Sequence, residues 1–294
     1  MNKNYFQAFK GAIARIYHAN GAVVGMGFLV SDRYLLTCAH VVAAALGIAE
    51  NTQEQPTGTI ELDFPLIARG QKVKSKVVFW QPVNSSLSVE DIAGLELEVE
   101  DSLPKIQPVY LVDAEDYWQH PIRILGFPKG YDMGIWATGT LRDRTAYNWV
   151  QIDAVATQDR PVEQGFSGAP IWDESLQGVV GMAVAAEKRR ADVTAAFMIP
   201  TSILRGAWLD LDRSPAQHPA GVRQSLDGSP SSSQQKLLKP LKDYQSLLFA
   251  KREAAYNQLS STLNATDILT INQQIKGLEI EINESQKKID HLSK

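Results

Sequence analysis

The sequence predicts an all-β domain followed by an α-helical hairpin, and two patterns carry that reading. From about residue 10 to 200, short runs of β-branched and aliphatic residues recur between turn signals, the mark of a barrel or sandwich built from short strands. After residue 236 the hydrophobic period changes from 2 to about 3.5, the spacing of packed helices.

The strand candidates, in order, are 12–17, 23–30, 34–38, 59–64, 72–80, 92–99, 106–111, 122–125, 135–141, 149–155, 178–186 and 194–199. Residues 201–211 read as a closing helix with Thr201 or Ser202 as N-cap. Residues 212–235 hold Arg213-Ser214-Pro215, His218-Pro219, Asp227-Gly228-Ser229-Pro230 and Ser231-Ser232-Ser233 without periodicity, as a flexible linker does. The expected domains are therefore 1–211, the linker 212–235, and a helical hairpin at 236–294. In the hairpin, Ile268, Ile271, Ile275, Leu278, Ile282, Ser285, Ile289 and Leu292 form an a/d seam broken only by Ser285. A looser stripe runs through Leu237, Leu241, Tyr244, Leu248, Ala255, Leu259 and Leu263, and Asn264-Ala265-Thr266-Asp267 marks the turn. Two such helices leave little core of their own. They need another surface, either a third or fourth helix from another chain or a packing site within this one.

Composition excludes several classes. The chain has 294 residues, 44% hydrophobic and 21% charged, and a net charge of −4, so nucleic acid is not an expected partner. The longest apolar run, 178–186, is far short of the roughly 20 residues that span a bilayer. Residues 1–10 are polar and lack an apolar leader core, and the one cysteine, Cys38, forbids an internal disulfide. A cytoplasmic location without membrane association is expected. The five histidines (18, 40, 120, 218 and 291) are scattered, so neither a metal nor a cofactor is expected.

The chemistry centres on Glu163-Gln164-Gly165-Phe166-Ser167-Gly168-Ala169-Pro170. A serine between two glycines sits on a tight turn that exposes its hydroxyl, but the hydroxyl is inert without a base, an orienting group and an oxyanion site. The base candidate is His40, at the end of the apolar strand in Leu35-Leu36-Thr37-Cys38-Ala39-His40-Val41-Val42. The orienting candidate is Asp91, which opens the strand Asp91-Ile92-Ala93-Gly94-Leu95-Glu96-Leu97 after a polar loop. Each signal alone is modest. A lone histidine in an apolar strand is usually structural, and a lone aspartate at a strand start is usually a cap. Their joint occurrence in the order His, Asp, Ser is far more informative.

With these motifs in view, residues 8–210 resemble a trypsin-like (chymotrypsin-fold) bacterial serine peptidase. T-C-A-H-V-V, D-I-A-G-L-E-L and G-F-S-G-A-P are similar to the family's T-A-A-H, D-I-A-L-L and G-D-S-G-G-P signatures. The resemblance implies a double six-stranded β-barrel with the site between the barrels. It also implies His40, Asp91 and Ser167 as the triad, and the Gly165 and Ser167 backbone N–H groups as the oxyanion hole. Pro161, Ala183, Ala185 and Ala195 would line the specificity pocket, with Asp159, Glu163, Glu187 and Asp192 as acidic candidates at its base or rim. Phe166 stands where trypsin has an aspartate that pairs with a newly cut N-terminus, so that mode of activation is not expected. Cys38 is expected to be a small buried core residue. The tail resembles the effector-associated domains of bacterial conflict systems, which implies an adaptor that brings the peptidase to a protein substrate or self-associates. Two competing readings are an inactive scaffold and an HtrA-like housekeeping protease.

Overall fold

The computed structural model describes residues 3–82, 91–98, 106–145, 148–154, 162–184, 196–208 and 211, and in the tail 241–242, 244–249, 251–252, 254–255, 258 and 265–292. Helix α1 (Lys3–Ala12) leads into the first barrel. Its strands are β1 (Ile13–Tyr17), β2 (Val23–Leu29), β3 (Tyr34–Thr37), β4 (Thr59–Phe64), β5 (Ala68–Gln81) and β6 (Ile92–Leu97). Helix α2 (Ala39–Leu46) follows β3. The second barrel holds β7 (Pro121–Gly126), β8 (Ile135–Arg144), β9 (Val150–Ala154), β10 (Pro170–Asp173), β11 (Gly178–Val184) and β12 (Ala196–Pro200). Helix α3 (Thr201–Ala207) closes this barrel, and α4 (Ala265–Leu292) lies in the tail. Both sheets are closed and antiparallel, in the orders β1-β2-β3-β6-β5-β4 and β10-β11-β12-β9-β8-β7. The expected double six-stranded barrel is present.

Alternation explains the strands. In β5, Val73, Ser75 and Val77 are buried while Lys72, Lys74 and Lys76 are exposed, the period of a sheet with one wet face. Each barrel is strapped to the other from outside. Phe9 of α1 is fully buried 5.2 Å from the Trp172 ring, and Tyr5 stacks on Tyr110. Trp208, just after α3, stacks on Phe79 of the first barrel at 5.5 Å and lies over Gly94. Aromatic pairs of this kind add about 0.5–1.5 kcal/mol beyond their area.

Several local expectations change. Residues 106–110 form no strand, and only an isolated parallel bridge joins Leu111 to Val179. Pro108 removes a ladder donor there, and the segment instead connects the barrels through Val109 N–H to the Leu29 carbonyl. Residues 170–173 form β10, with Pro170 at the first position, where a strand tolerates it. The segment 39–46 is helical, as its alanines favour. The N-cap of α3 is Pro200 rather than Thr201 or Ser202, because the Thr201 hydroxyl donates to the Val179 carbonyl.

The seam of α4 is buried at Ile271, Ile275, Leu278, Ile282 and Ile289. Ser285 fits this buried stripe because its hydroxyl donates to the Ile282 carbonyl at 2.8 Å. The described residues between 241 and 258 are helical. Tyr244, Leu247, Leu248, Leu278 and Ile282 belong to the same apolar cluster as the barrels, and the Gln81 amide donates to the Tyr244 hydroxyl at 2.6 Å. Part of the tail's apolar face is thus covered by the barrels, while Ala255, Ile271 and Ile275 form a separate small cluster. Among the described residues, no helix is long and apolar enough to cross a membrane. Since Leu248 is fully buried, Leu248→Ala should lower stability by about 2–5 kcal/mol. A urea titration followed by barrel tryptophan fluorescence measures this, and an unchanged midpoint would show that the tail is not part of the core.

Candidate active site

Three backbone features converge where the barrels meet. β3 ends at Thr37, Cys38 caps α2, and His40 falls in the first turn of that helix. Its place is therefore a helix start three residues beyond the strand, not the strand end itself. Asp91 precedes β6 immediately and is 2% exposed. Its φ of +153° is rare for a residue with a side chain. The Asp91 carboxylate grips His40 twice, taking the backbone N–H at 2.9 Å on Oδ1 and meeting Nδ1 at 2.6 Å on Oδ2. A carboxylate accepting at this contact places a proton on Nδ1. The imidazole remains partly open to solvent.

Ser167 arrives from the second barrel on a turn pressed against β2 and β3. Met26 N–H donates to the Ser167 carbonyl at 2.9 Å. Gly168, at φ +82°, sits so close that a Cβ would lie 2.1 Å from the Met26 carbonyl and 2.8 Å from the Thr37 hydroxyl. Gly165, at φ +104°, has Pro128 Cα and the Phe127 carbonyl within 2.8 Å of where its Cβ would be. Neither position admits another residue without displacing backbone. Gly25 links the pieces, because a Cβ there would touch both Val41, next to His40, and the Ser167 carbonyl. The sequence-predicted residues His40, Asp91, Ser167 and Gly165 are therefore gathered at one inter-barrel junction.

Phe166 is fully buried against Gly126, where a Cβ would clash with its ring at 2.4 Å. This side chain is part of the core. Ala183 is buried in β11, and its carbonyl accepts from Gly168 N–H at 2.9 Å and from the Cys38 thiol at 3.6 Å. Glu163 reaches the turn through its carbonyl, which accepts from Phe166 N–H. Pro161, Ala185 and Ala195, with Asp159, Glu187 and Asp192, lie outside the described residues.

Cys38, His40 and Asp91 present ligand atoms within 4.8 Å of one another. That grouping fits a metal poorly. The Nδ1–Oδ2 separation of 2.6 Å is shorter than the roughly 3.3 Å between two ligands of a tetrahedral zinc. Burial also pushes the Cys38 thiol well above its ordinary value, and the nearby Asp91 charge adds to the rise, so the thiolate a metal needs is disfavoured.

Sequence reasoning missed the groups that hold the turn from behind, chiefly Thr37, Arg15 and Asp63. The Thr37 hydroxyl donates to the Met26 carbonyl at 2.6 Å. Arg15 and Asp63 interrupt otherwise apolar strand stretches, a pattern that marks buried polar pairs. A second His–Asp pair, His120 with Asp173 at 2.7 Å, also went unread. Asp173 uses its other oxygen to accept from the Ser175 and Leu176 N–H groups, so it ties down the β10–β11 turn. One chemical consequence is checkable at Cys38. Its raised pKa keeps the thiol neutral through neutral pH, and it is fully buried. Iodoacetamide should leave it unmodified in the folded protein and alkylate it in urea; rapid native alkylation would contradict that placement.

Residues 25–182, more than half of the chain, match the family model for the trypsin-like peptidase domain. Deg5, a solved structure, is similar at 21% identity and a TM-score of 0.50, covering 71% of this chain and 93% of its own. The inactive form of a serine-to-alanine mutant of Rv3671c from M. tuberculosis H37Rv is 19% identical, with a TM-score of 0.47 and coverage of 75% and 94%. No curated protein matches the chain. The Deg5 likeness supports the fold, and the family match is decisive: the chain belongs to the trypsin-like peptidase family.

Proposed function

We propose that the protein is a serine endopeptidase that cleaves protein substrates through Ser167, His40 and Asp91. The observation that carries this is the double grip of Asp91 on His40 at the junction where the Ser167 turn is seated. That grip fixes the imidazole tautomer and stabilises the imidazolium that forms during the reaction. Ser167 Oγ attacks the scissile carbonyl as His40 Nε2 takes its proton. The same proton then passes to the leaving amine, and water hydrolyses the acyl-enzyme by the reverse relay. The Gly165 and Ser167 N–H groups stabilise the oxyanion, each such donor typically contributing about 2.7–4 kcal/mol to the transition state. Ala183 is the candidate among the described residues for lining the pocket for the substrate side chain. The His40–Asp91 contacts argue against the inactive-scaffold reading.

The C-terminal hairpin serves as an adaptor in this reading, in bacterial defence signalling, with a surface narrower than the whole seam. The seam faces inward, so the outward Phe249 and Ile280, 40% and 54% exposed, are what a partner would meet.

A fluorophosphonate probe tests the chemistry. Wild type should label and Ser167→Ala should not, while Asp91→Asn should lower kcat by about 10⁴ as the wrong tautomer is favoured. Equal labelling of wild type and Ser167→Ala would overturn the enzyme reading. In sedimentation at micromolar concentration the full chain should run as a monomer, since the described seam residues Ile271, Ile275, Leu278, Ile282 and Ile289 are buried. A stable dimer would instead show that the tail self-associates.

A further inference from the structure

We infer that Arg15, in the first barrel, is a positioning residue for the oxyanion turn of the second. Arg15 and Asp63 are cross-strand partners on β1 and β4. Both are buried, at 5% and 0% exposure. The guanidinium meets the carboxylate side-on, Nε to Oδ1 at 2.9 Å and Nη2 to Oδ2 at 2.6 Å. Asp63 is completed by the Tyr17 hydroxyl at 3.0 Å and the Gly70 N–H at 2.8 Å. Tyr17 stays a donor throughout, because burial and the Asp63 charge push its phenol up to about 12. A carboxylate held by four donors fixes the plane and direction of the guanidinium.

The third arm of that fork crosses to the other barrel. Arg15 Nη1 donates to the Asp132 carbonyl at 3.0 Å, and the guanidinium lies 5.0 Å from the centre of the Phe127 ring. Arg15 thus holds the loop between β7 and β8 near both ends. The loop is stiff in itself, with Tyr131 N–H on the Pro128 carbonyl and Gly134 N–H on the Tyr131 carbonyl. Its first two residues form the wall behind Gly165. Phe127 N–H donates to the Gly165 carbonyl at 3.0 Å, and Pro128 leaves no room for a Cβ on Gly165. The Gly165 peptide is therefore set by Phe127 and Pro128, and these are set by Arg15. A lysine can neutralise Asp63, but a point charge cannot hold the carboxylate, the Asp132 carbonyl and the Phe127 face together.

This role rests on the reading of Gly165 N–H as an oxyanion donor, and two measurements separate the two ideas. In the full-length protein, Arg15→Lys keeps the charge, and the double variant Arg15→Gln/Asp63→Asn removes both charges without stranding either. Amide hydrogen exchange by mass spectrometry should rise at 127–134 and at 163–168 in both variants, and stay unchanged at 36–46. On a peptide substrate, kcat should fall about 10- to 100-fold with KM little altered, as expected for a reacting-site donor displaced by a fraction of an ångström. The inference is overturned if folded variants keep wild-type exchange in either of the first two segments, if exchange rises while kcat is unchanged, or if neither variant folds. Absence of fluorophosphonate label on wild type would remove the peptidase reading, yet the exchange comparison would still decide whether Arg15 sets the turn.

Discussion

A contact too tight for any side chain joins the two barrels. Gly168 rests directly on the β2 backbone, and through that seat the second barrel delivers Ser167 to the barrel that carries His40 and Asp91. Interiors are packed densely enough that such a contact transmits displacement. The same turn is pressed from its other side by Phe127 and Pro128. It is a short segment held between two walls, one from each barrel. The geometry of the site is therefore a property of the inter-barrel junction and belongs to neither barrel alone.

Within this largely apolar junction sits a buried polar pair whose partners are well placed. Arg15 and Asp63 are buried together, and a buried ion pair is weak evidence for stability, because desolvation offsets much of the attraction. What the pair supplies is direction. An apolar substitute would fill the same space but would not select one position for the Asp132 carbonyl. This separates the site's two kinds of support: the aromatic straps at Phe9 and Trp208 hold the barrels together, while the guanidinium fork sets how one loop lies.

Much of this was legible in the chain before any coordinates. Period-2 alternation exposes strands such as β5 because one face is wet. The Gly-Phe-Ser-Gly run announces its turn because only glycine tolerates the backbone at Gly165 and Gly168. His40 and Asp91 could be named because apolar strands lead into or out of them. What stayed hidden depends on contacts distant in sequence. Residues 1–10 read as polar, and Phe9, with the partly buried Phe6, packs only when Trp136 and Trp172 are present. The 106–110 segment looks apolar enough for a strand, yet Pro108 and its role as connector decide otherwise. The hairpin's periodicity was readable, but not that the first barrel would cover part of it, since Gln81 and Tyr244 carry no local signal of their meeting.

The reciprocal strapping of the barrels also has a history within each molecule's synthesis. Helix α1 is made before either barrel, but the Trp172 ring that packs on Phe6 and Phe9 belongs to β10, late in the second barrel. At about 5–20 residues per second, translating the intervening chain takes on the order of 10 s. For that interval Phe6 and Phe9 lack their Trp172 partner, a natural foothold for a ribosome-associated chaperone. The first barrel can close early, but its leading helix must wait for the second. The α1 packing and the junction that positions Ser167 thus both wait for the same late strands of the second barrel.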